Sequence, residues 1–305
     1  MTSIFSRAKS GFQPGGRPPA AVELAPEGVL AAAISAAGQQ SVYAFAPLSA
    51  GVITPSLSET NLHDSGTVAS AIRSSLDQVS PRSRAVTLIV PDPLVRVFVV
   101  DFDSLPAKSA EALAVLRFRM RKMVSFDVEH AAVSYQVLEQ GETLCRVLTA
   151  AMPGPVLAEY EAAVRAAGYE PGVVLPSSLA TLEGVADSTE AVLVANLSRS
   201  TLTTTISIGR DLLLYRTLDL PEDPLQRFSE IQRGIAVAAA YYEDRLQVRP
   251  LALHYAGSEP AAEFAWEIAN PGLTVVELSQ GAKNGSRATP GYRCTAAVAG
   301  ALAGV

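Results

Sequence analysis

Residues 84–152 read RAVTLIVPDPLVRVFVVDFDSLPAKSAEALAVLRFRMRKMVSFDVEHAAVSYQVLEQGETLCRVLTAAM, and the fold turns on how the hydrophobic period changes along them. Residues 85–90 are a short apolar, β-branched run stopped by Pro91-Asp92-Pro93. Residues 94–102 resume with Val95, Val97 and Val99 on one face and Arg96 and Phe98 on the other. That pattern predicts two strands around a turn. Ser109 is placed to cap a helix over 109–123, in which Leu113, Leu116, Met120 and Met123 recur at three and four residues while Arg117, Arg121 and Lys122 fall off the stripe. Val133, Tyr135 and Val137 then alternate, Gln140-Gly141-Glu142 turns the chain, and 143–151 returns as a strand before a helix over 155–167. Strand, helix, strand, strand predicts a compact α+β unit with a sheet and flanking helices.

The punctuation of this unit carries a family resemblance. Leu105-Pro106 precedes the helix, Val124-Ser125-Phe126-Asp127-Val128-Glu129 follows it, Ser134-Tyr135 comes next, and Ala166-Ala167-Gly168-Tyr169-Glu170-Pro171 closes the last helix. In that order and spacing the series resembles PilM, the actin-like cytoplasmic protein of type IV pilus assembly. The resemblance implies an α/β fold, an actin-like duplicated ribonuclease-H-like core with this stretch as a small inserted α+β subdomain at about 93–170. The expected division is a flexible basic leader at 1–19, a first half at 20–185 and a second half at 186–305.

Composition sets the outer bounds. The chain has 305 residues, 49% apolar and 18% charged, which is ordinary for one large or two medium globular domains. A net charge of -6 argues against a dedicated nucleic-acid binder, which needs a dense Lys/Arg footprint. Cys145 and Cys294 stand far apart in apolar contexts and read as reduced core residues. No apolar run approaches the roughly 18–20 residues that span a bilayer. Residues 1–20 hold Arg7, Lys9 and Arg17 without acids or an apolar core, so they are not a signal peptide. Two readings stand for this leader: a solvated tail, or a weak contact with anionic lipid worth at most about 1 kcal/mol per basic residue.

Residues 20–49 read as three strands joined by Pro26-Glu27-Gly28 and Gly38-Gln39-Gln40, the hairpin meander with which actin-like domains begin. The family's first phosphate loop resembles V-G-I-D-I-G-S-S-S-V-K. Laid on it, the acid becomes Glu23, the glycine Ala25, the next position Pro26 and the lysine Leu30. Ala25 adds a methyl where backbone must approach phosphate, Pro26 deletes a donor, and Leu30 removes a charge. Glu23 either holds a metal through water or is merely solvated. After a helix over 66–78 on Val68, Ile72 and Leu76, a strand at 173–176 and a helix at 177–185, the grammar restarts. Strands at 191–196, 202–208 and 212–218 repeat the meander with Gly209-Arg210-Asp211 as a turn.

The second phosphate loop of such folds resembles D-I-G-x-x-x-T, and here Asn196 replaces the acid, Ser198 the glycine and Leu202 the threonine. Arg199 in that loop reads as an anion ligand, a filler of an empty cleft, or a turn residue in solvent. A helix over 226–246 has a stripe of Phe228, Ile231, Ile235, Ala239 and Tyr242. A strand at 251–255 runs into Tyr255-Ala256-Gly257-Ser258, where the family's Ser-Gly-Gly-Gly turn seats adenosine. A helix to 268, a strand at 273–278, a loop over 280–290 and a helix at 295–302 finish the chain.

His63, His130 and His254 are scattered, so neither zinc spacing nor a His-based triad emerges. Asp101 and Asp103 share a face if extended, as a metal or proton pair or as a solvated turn. Phosphoryl transfer needs positioning donors and a metal-binding acid together, and all three loops are altered. The expectation is a vestigial nucleotide site at Glu23, Ala25, Pro26, Asn196, Ser198, Arg199 and Gly257, no catalytic residue, no metal and no cofactor. The resemblance implies an adaptor, cytoplasmic and peripheral on the inner membrane, that receives the N-terminal peptide of a PilN-like membrane partner in a groove between core and inserted subdomain. Self-association stays open. The alternatives are an active Mg-ATP-binding ATPase of the same machinery and a GspL-like module of type II secretion.

Overall fold

The computed structural model describes residues 17–35, 41–185, 188–257, 259–268, 270, 272–278 and 294–303. The leader up to residue 16, the Gly38-Gln39-Gln40 turn, Ser258 and the loop over 280–290 lie outside the described residues.

Strands β1 (Ala20–Ala25), β2 (Gly28–Ile34) and β3 (Ser41–Pro47) form an antiparallel meander, and helix α1 (Ser65–Val79) returns the chain so that β4 (Ala85–Val90) pairs parallel with β1. Asp64 caps α1 by accepting from the Thr67 N–H at 2.9 Å. The chain then leaves the core. Strand β5 (Arg96–Phe102), helix α2 (Ser109–Met120) and strands β6 (Ala131–Gln140) and β7 (Cys145–Pro153) build a separate antiparallel sheet ordered β5-β7-β6. Helix α3 (Gly154–Ala166) packs back on α1, β8 (Glu170–Pro176) pairs parallel with β4, and α4 (Ser177–Glu183) follows. The strands flanking Pro91-Asp92-Pro93 thus belong to different sheets, because the turn is the exit from the core.

The second half repeats the first. Strands β9 (Ala191–Leu197), β10 (Thr201–Ile208) and β11 (Asp211–Asp219) are the antiparallel meander, α5 (Pro224–Leu246) crosses, and β12 (Ala252–Gly257) pairs parallel with β9. Helix α6 (Ala261–Ile268), β13 (Thr274–Glu277) and α7 (Ala296–Ala303) complete it. The two core sheets run β3-β2-β1-β4-β8 and β11-β10-β9-β12-β13, the same order with the same directions. Strand β2 is almost wholly apolar, GVLAAAI, because α1 covers one side of its sheet and α7 packs on β1, β2 and β4.

The motif residues of the resemblance have structural work. Gly168 takes φ +87 to end α3. Buried Tyr169 then donates to Asp77 at 2.7 Å beneath the Arg84 guanidinium, tying α1 to the sheet, and burial pushes its phenol up to about 12. Asp127 accepts from the Glu129 N–H and meets His130 at 2.6 Å, shaping the turn into β6.

Four local expectations are corrected. Lys108, not Ser109, precedes α2, and no side chain caps it. The buried stripe of α2 is Ala112, Leu116 and Met120, while Met123 is exposed beyond the helix end, because the helix stops one turn early. In α5 the buried residues are Ile231, Gly234, Ile235, Ala238 and Tyr242, since the Leu202 side chain approaches so closely that a Cβ on Gly234 would sit 2.8 Å from it. Arg17 is no part of a solvated tail: its guanidinium pairs with Glu183 at 3.1 Å and both side chains are buried. Among the described residues no helix is long and apolar enough to cross a membrane.

Helices α4 and α7 meet at the join of the halves, where glycine permits the contact. A Cβ on Gly300 would lie 2.0 Å from the Ala180 carbonyl oxygen, a backbone atom that cannot rotate away. Helix propensity alone would make Gly300→Ala stabilising by about 1 kcal/mol. Overpacking should reverse the sign to a loss of about 1–3 kcal/mol, read by urea denaturation, with faster amide exchange over 296–303.

Candidate functional site

The two meander turns face each other across the join. They enclose a cavity of about 80 Å³ lined by residues that include all seven of the predicted ones, Glu23, Ala25, Pro26, Asn196, Ser198, Arg199 and Gly257. The first turn is Pro26-Glu27 between paired Ala25 and Gly28. Gly28 is obligatory, because a Cβ there would meet the Ala46 carbonyl oxygen at 2.4 Å and the Phe45 ring at 2.6 Å. Glu23 is buried and its carboxylate accepts from the Ser177 hydroxyl at 2.9 Å, at the start of α4. There the helix's positive end favours an acid.

The second turn closes on itself. The Ser198 N–H donates to the Thr201 carbonyl at 2.9 Å, and the Thr201 N–H donates to Ser198 Oγ at 3.0 Å. From outside, the Arg227 guanidinium donates to the Ser198 carbonyl at 3.0 Å and to the Arg199 carbonyl. The Ser198 donor that a phosphate loop would turn toward its ligand is therefore used within the turn. Arg199 is exposed at the rim. Gly257 ends β12 against the buried Tyr255 ring, whose hydroxyl would lie 2.2 Å from an added Cβ, and the ring stacks on Phe264 at 4.2 Å.

The sequence reading missed the centre of the site. Asp92, in the Pro-Asp-Pro turn, is 4% exposed and collects four donors. The Ser178 N–H and hydroxyl donate to Oδ1, both at 2.9 Å; Asn196 Nδ2 at 3.2 Å and Thr203 Oγ1 at 3.0 Å donate to Oδ2. The Tyr215 hydroxyl joins through Ser178 Oγ. Asp92 belongs to the first half, and Asn196, Thr203 and Tyr215 to the second, so this carboxylate stitches the halves. Burial raises the Asp92 carboxyl above its ordinary range, and the hydrogen bonds pull the other way. Asn196 now has a reason: its amide donates to Asp92, which an ionised aspartate in its place has no proton to do. The only sequence signal was an acid held between two prolines just past an apolar strand.

Cys294 also lines this cavity rather than an anonymous core, and burial pushes its thiol up to about 12, so it stays protonated. Asp101 pairs with Arg146 at 3.0 Å and is exposed on the small sheet, away from the cavity. Among the described residues no group of three or more His, Cys, Asp or Glu could hold a metal ion. Among the described residues, acidic Glu23, Glu27 and Asp92 line the cavity against one cation, Arg199.

No known family model matches the chain, and comparison with curated proteins finds no match either. Among solved structures, a PilM-PilN type IV pilus biogenesis complex superposes with a TM-score of 0.72 at 16% identity, over 94% of this chain and 98% of that one. The cytoplasmic domain of EpsL, an inner membrane component of the type II secretion system of Vibrio cholerae, gives 0.52 at 14% identity, over 93% and 92%. At these identities the likeness shows the fold, and the fold is the actin-like one expected from the sequence.

Proposed function

We propose that this protein is a non-hydrolysing adaptor of a pilus or secretion assembly platform at the inner membrane, docking the cytoplasmic N-terminal peptide of a PilN-like membrane partner. The observation that carries the reading is the state of the cleft. The second turn spends the Ser198 donor on itself, and Asp92 is saturated by four donors, so it is not placed to activate a nucleophile. A cavity of about 80 Å³ is far below the roughly 300–1,000 Å³ of small-molecule sites, and among the described residues a triphosphate would meet three carboxylates and one guanidinium. The partner is suggested by the PilM-PilN complex, which is matched along nearly the whole length of this chain. An extended apolar peptide suits a sheet edge, where backbone bonds give affinity and alternate side chains find pockets.

Two measurements test this. Mg-ATP at about 1 mM should leave the melting temperature unchanged, whereas binding at a hundred times Kd would add about 2.7 kcal/mol and several degrees. A clear rise would favour the ATPase reading. Separately, a fluorescent peptide from the cytoplasmic tail of the candidate partner should bind in anisotropy titrations. No binding by tens of micromolar (about -6 kcal/mol) would count against docking.

A further inference from the structure

Helix α2 presents two apolar faces. Ala112, Leu116 and Met120 are buried on the small sheet. On the outer side Phe118 is 71% exposed, Val115 lies three residues before it, and Met123 is exposed just past the helix end. A single exposed apolar residue is ordinary, and the distribution of charge is what makes this one informative. Residues 108–123 carry five of the chain's 24 Lys and Arg but only one of its 30 Asp and Glu, a local +4 in a chain of -6. Three of the five cations are engaged within the fold. Arg117 donates to the Val128 and Ala131 carbonyls, Arg121 pairs with Glu129, and Lys108 pairs with Glu111 at 3.1 Å. Among the described residues Arg119 and Lys122 form no ion pair, and they stand one and four positions after Phe118.

We infer that the outer face of α2 is a docking face for an anionic lipid surface. The face is convex, as the outside of a helix must be, and offers an aromatic crest with free cations beside it. That combination matches a surface that is negative at its boundary and apolar just beneath. Charge also sets the orientation. A chain of net -6 is repelled by such a surface as a whole, and Arg119 and Lys122 put positive charge free of ion pairs among the described residues on this face, so approach is favoured α2 first. The contact is weak and reversible by construction, since one ring and two free cations are far less than a spanning helix.

The test is co-sedimentation of the full chain with vesicles of phosphatidylcholine, with and without about one-third phosphatidylglycerol. The chain should partition only onto the anionic vesicles and be released by salt. Phe118→Asp, and separately Arg119→Glu with Lys122→Glu, should each lower the partition coefficient at least about tenfold, with unchanged melting temperatures because all three positions are exposed. Failure of the wild type to bind overturns the inference. So does partition that survives both variants, which would assign it to the leader. Solution self-association lost in the variants, without vesicle binding, also overturns it in favour of a second copy. The assay contains no partner peptide, so its outcome leaves the adaptor reading where it stands.

Discussion

Asp92→Ala is expected to destabilise the chain by about 3–5 kcal/mol, the cost of leaving several buried neutral donors without their acceptor. The Ser178 N–H and hydroxyl, Asn196 Nδ2 and Thr203 Oγ1 all lose their acceptor at once. Each orphaned donor costs about 1–3 kcal/mol. Water entering the neighbouring cavity offsets part of the sum. Urea denaturation at neutral pH measures the loss, and a change below about 1 kcal/mol would show that Asp92 does not hold the halves together. Asp92→Asn adds a pH signature. The folded-state carboxyl is raised above its ordinary value by burial. Its contribution is therefore complete below the unfolded value of about 3.9 and is lost as pH rises through the folded one. The Asn variant has nothing to titrate there, so its stability relative to wild type should improve as pH climbs through that window.

Glu183→Ala is expected to cost a similar 3–5 kcal/mol or so, through Arg17. The ion pair is 3.1 Å long, with the arginine side chain 7% and the glutamate 4% exposed, so truncation leaves a guanidinium buried without this carboxylate. A paired replacement separates charge from packing. Arg17→Met together with Glu183→Leu removes both charges while filling the space, and should be far less damaging than the two single losses added together. Additive losses in that double-mutant cycle would mean that the two side chains act independently.

What the sequence made legible follows the range of the interactions involved. The two meanders, the crossing helices and the order of elements are written in local period and turn chemistry, and so they could be read from runs such as residues 85–90 and the Gly209-Arg210-Asp211 turn. The seven cleft positions could be brought together through the resemblance of their loops, and they line one cavity. Asp92 could not be singled out, because its partners lie 86, 104 and 111 residues away and nothing in Pro-Asp-Pro says that another half will bury it. Arg17 looked like one more cation in a polar stretch until Glu183 appeared beside it. The stripe of α2 was misjudged for a different reason: apolar residues occupy both faces of that helix, so periodicity alone could not say which face packs.

Helix α7 rests on strands β1, β2 and β4 and against α4, so the last described element supplies part of the floor on which the first ones sit. On the ribosome, the opening strands emerge long before Ala297, Val298 and Ala301 can reach them. Until then a row of alanines and valines in the first sheet stays open to water or to whatever shields it. Native packing of the first half is thus completed only after synthesis has passed residue 303, and a nascent chain stalled earlier should be a substrate for chaperones.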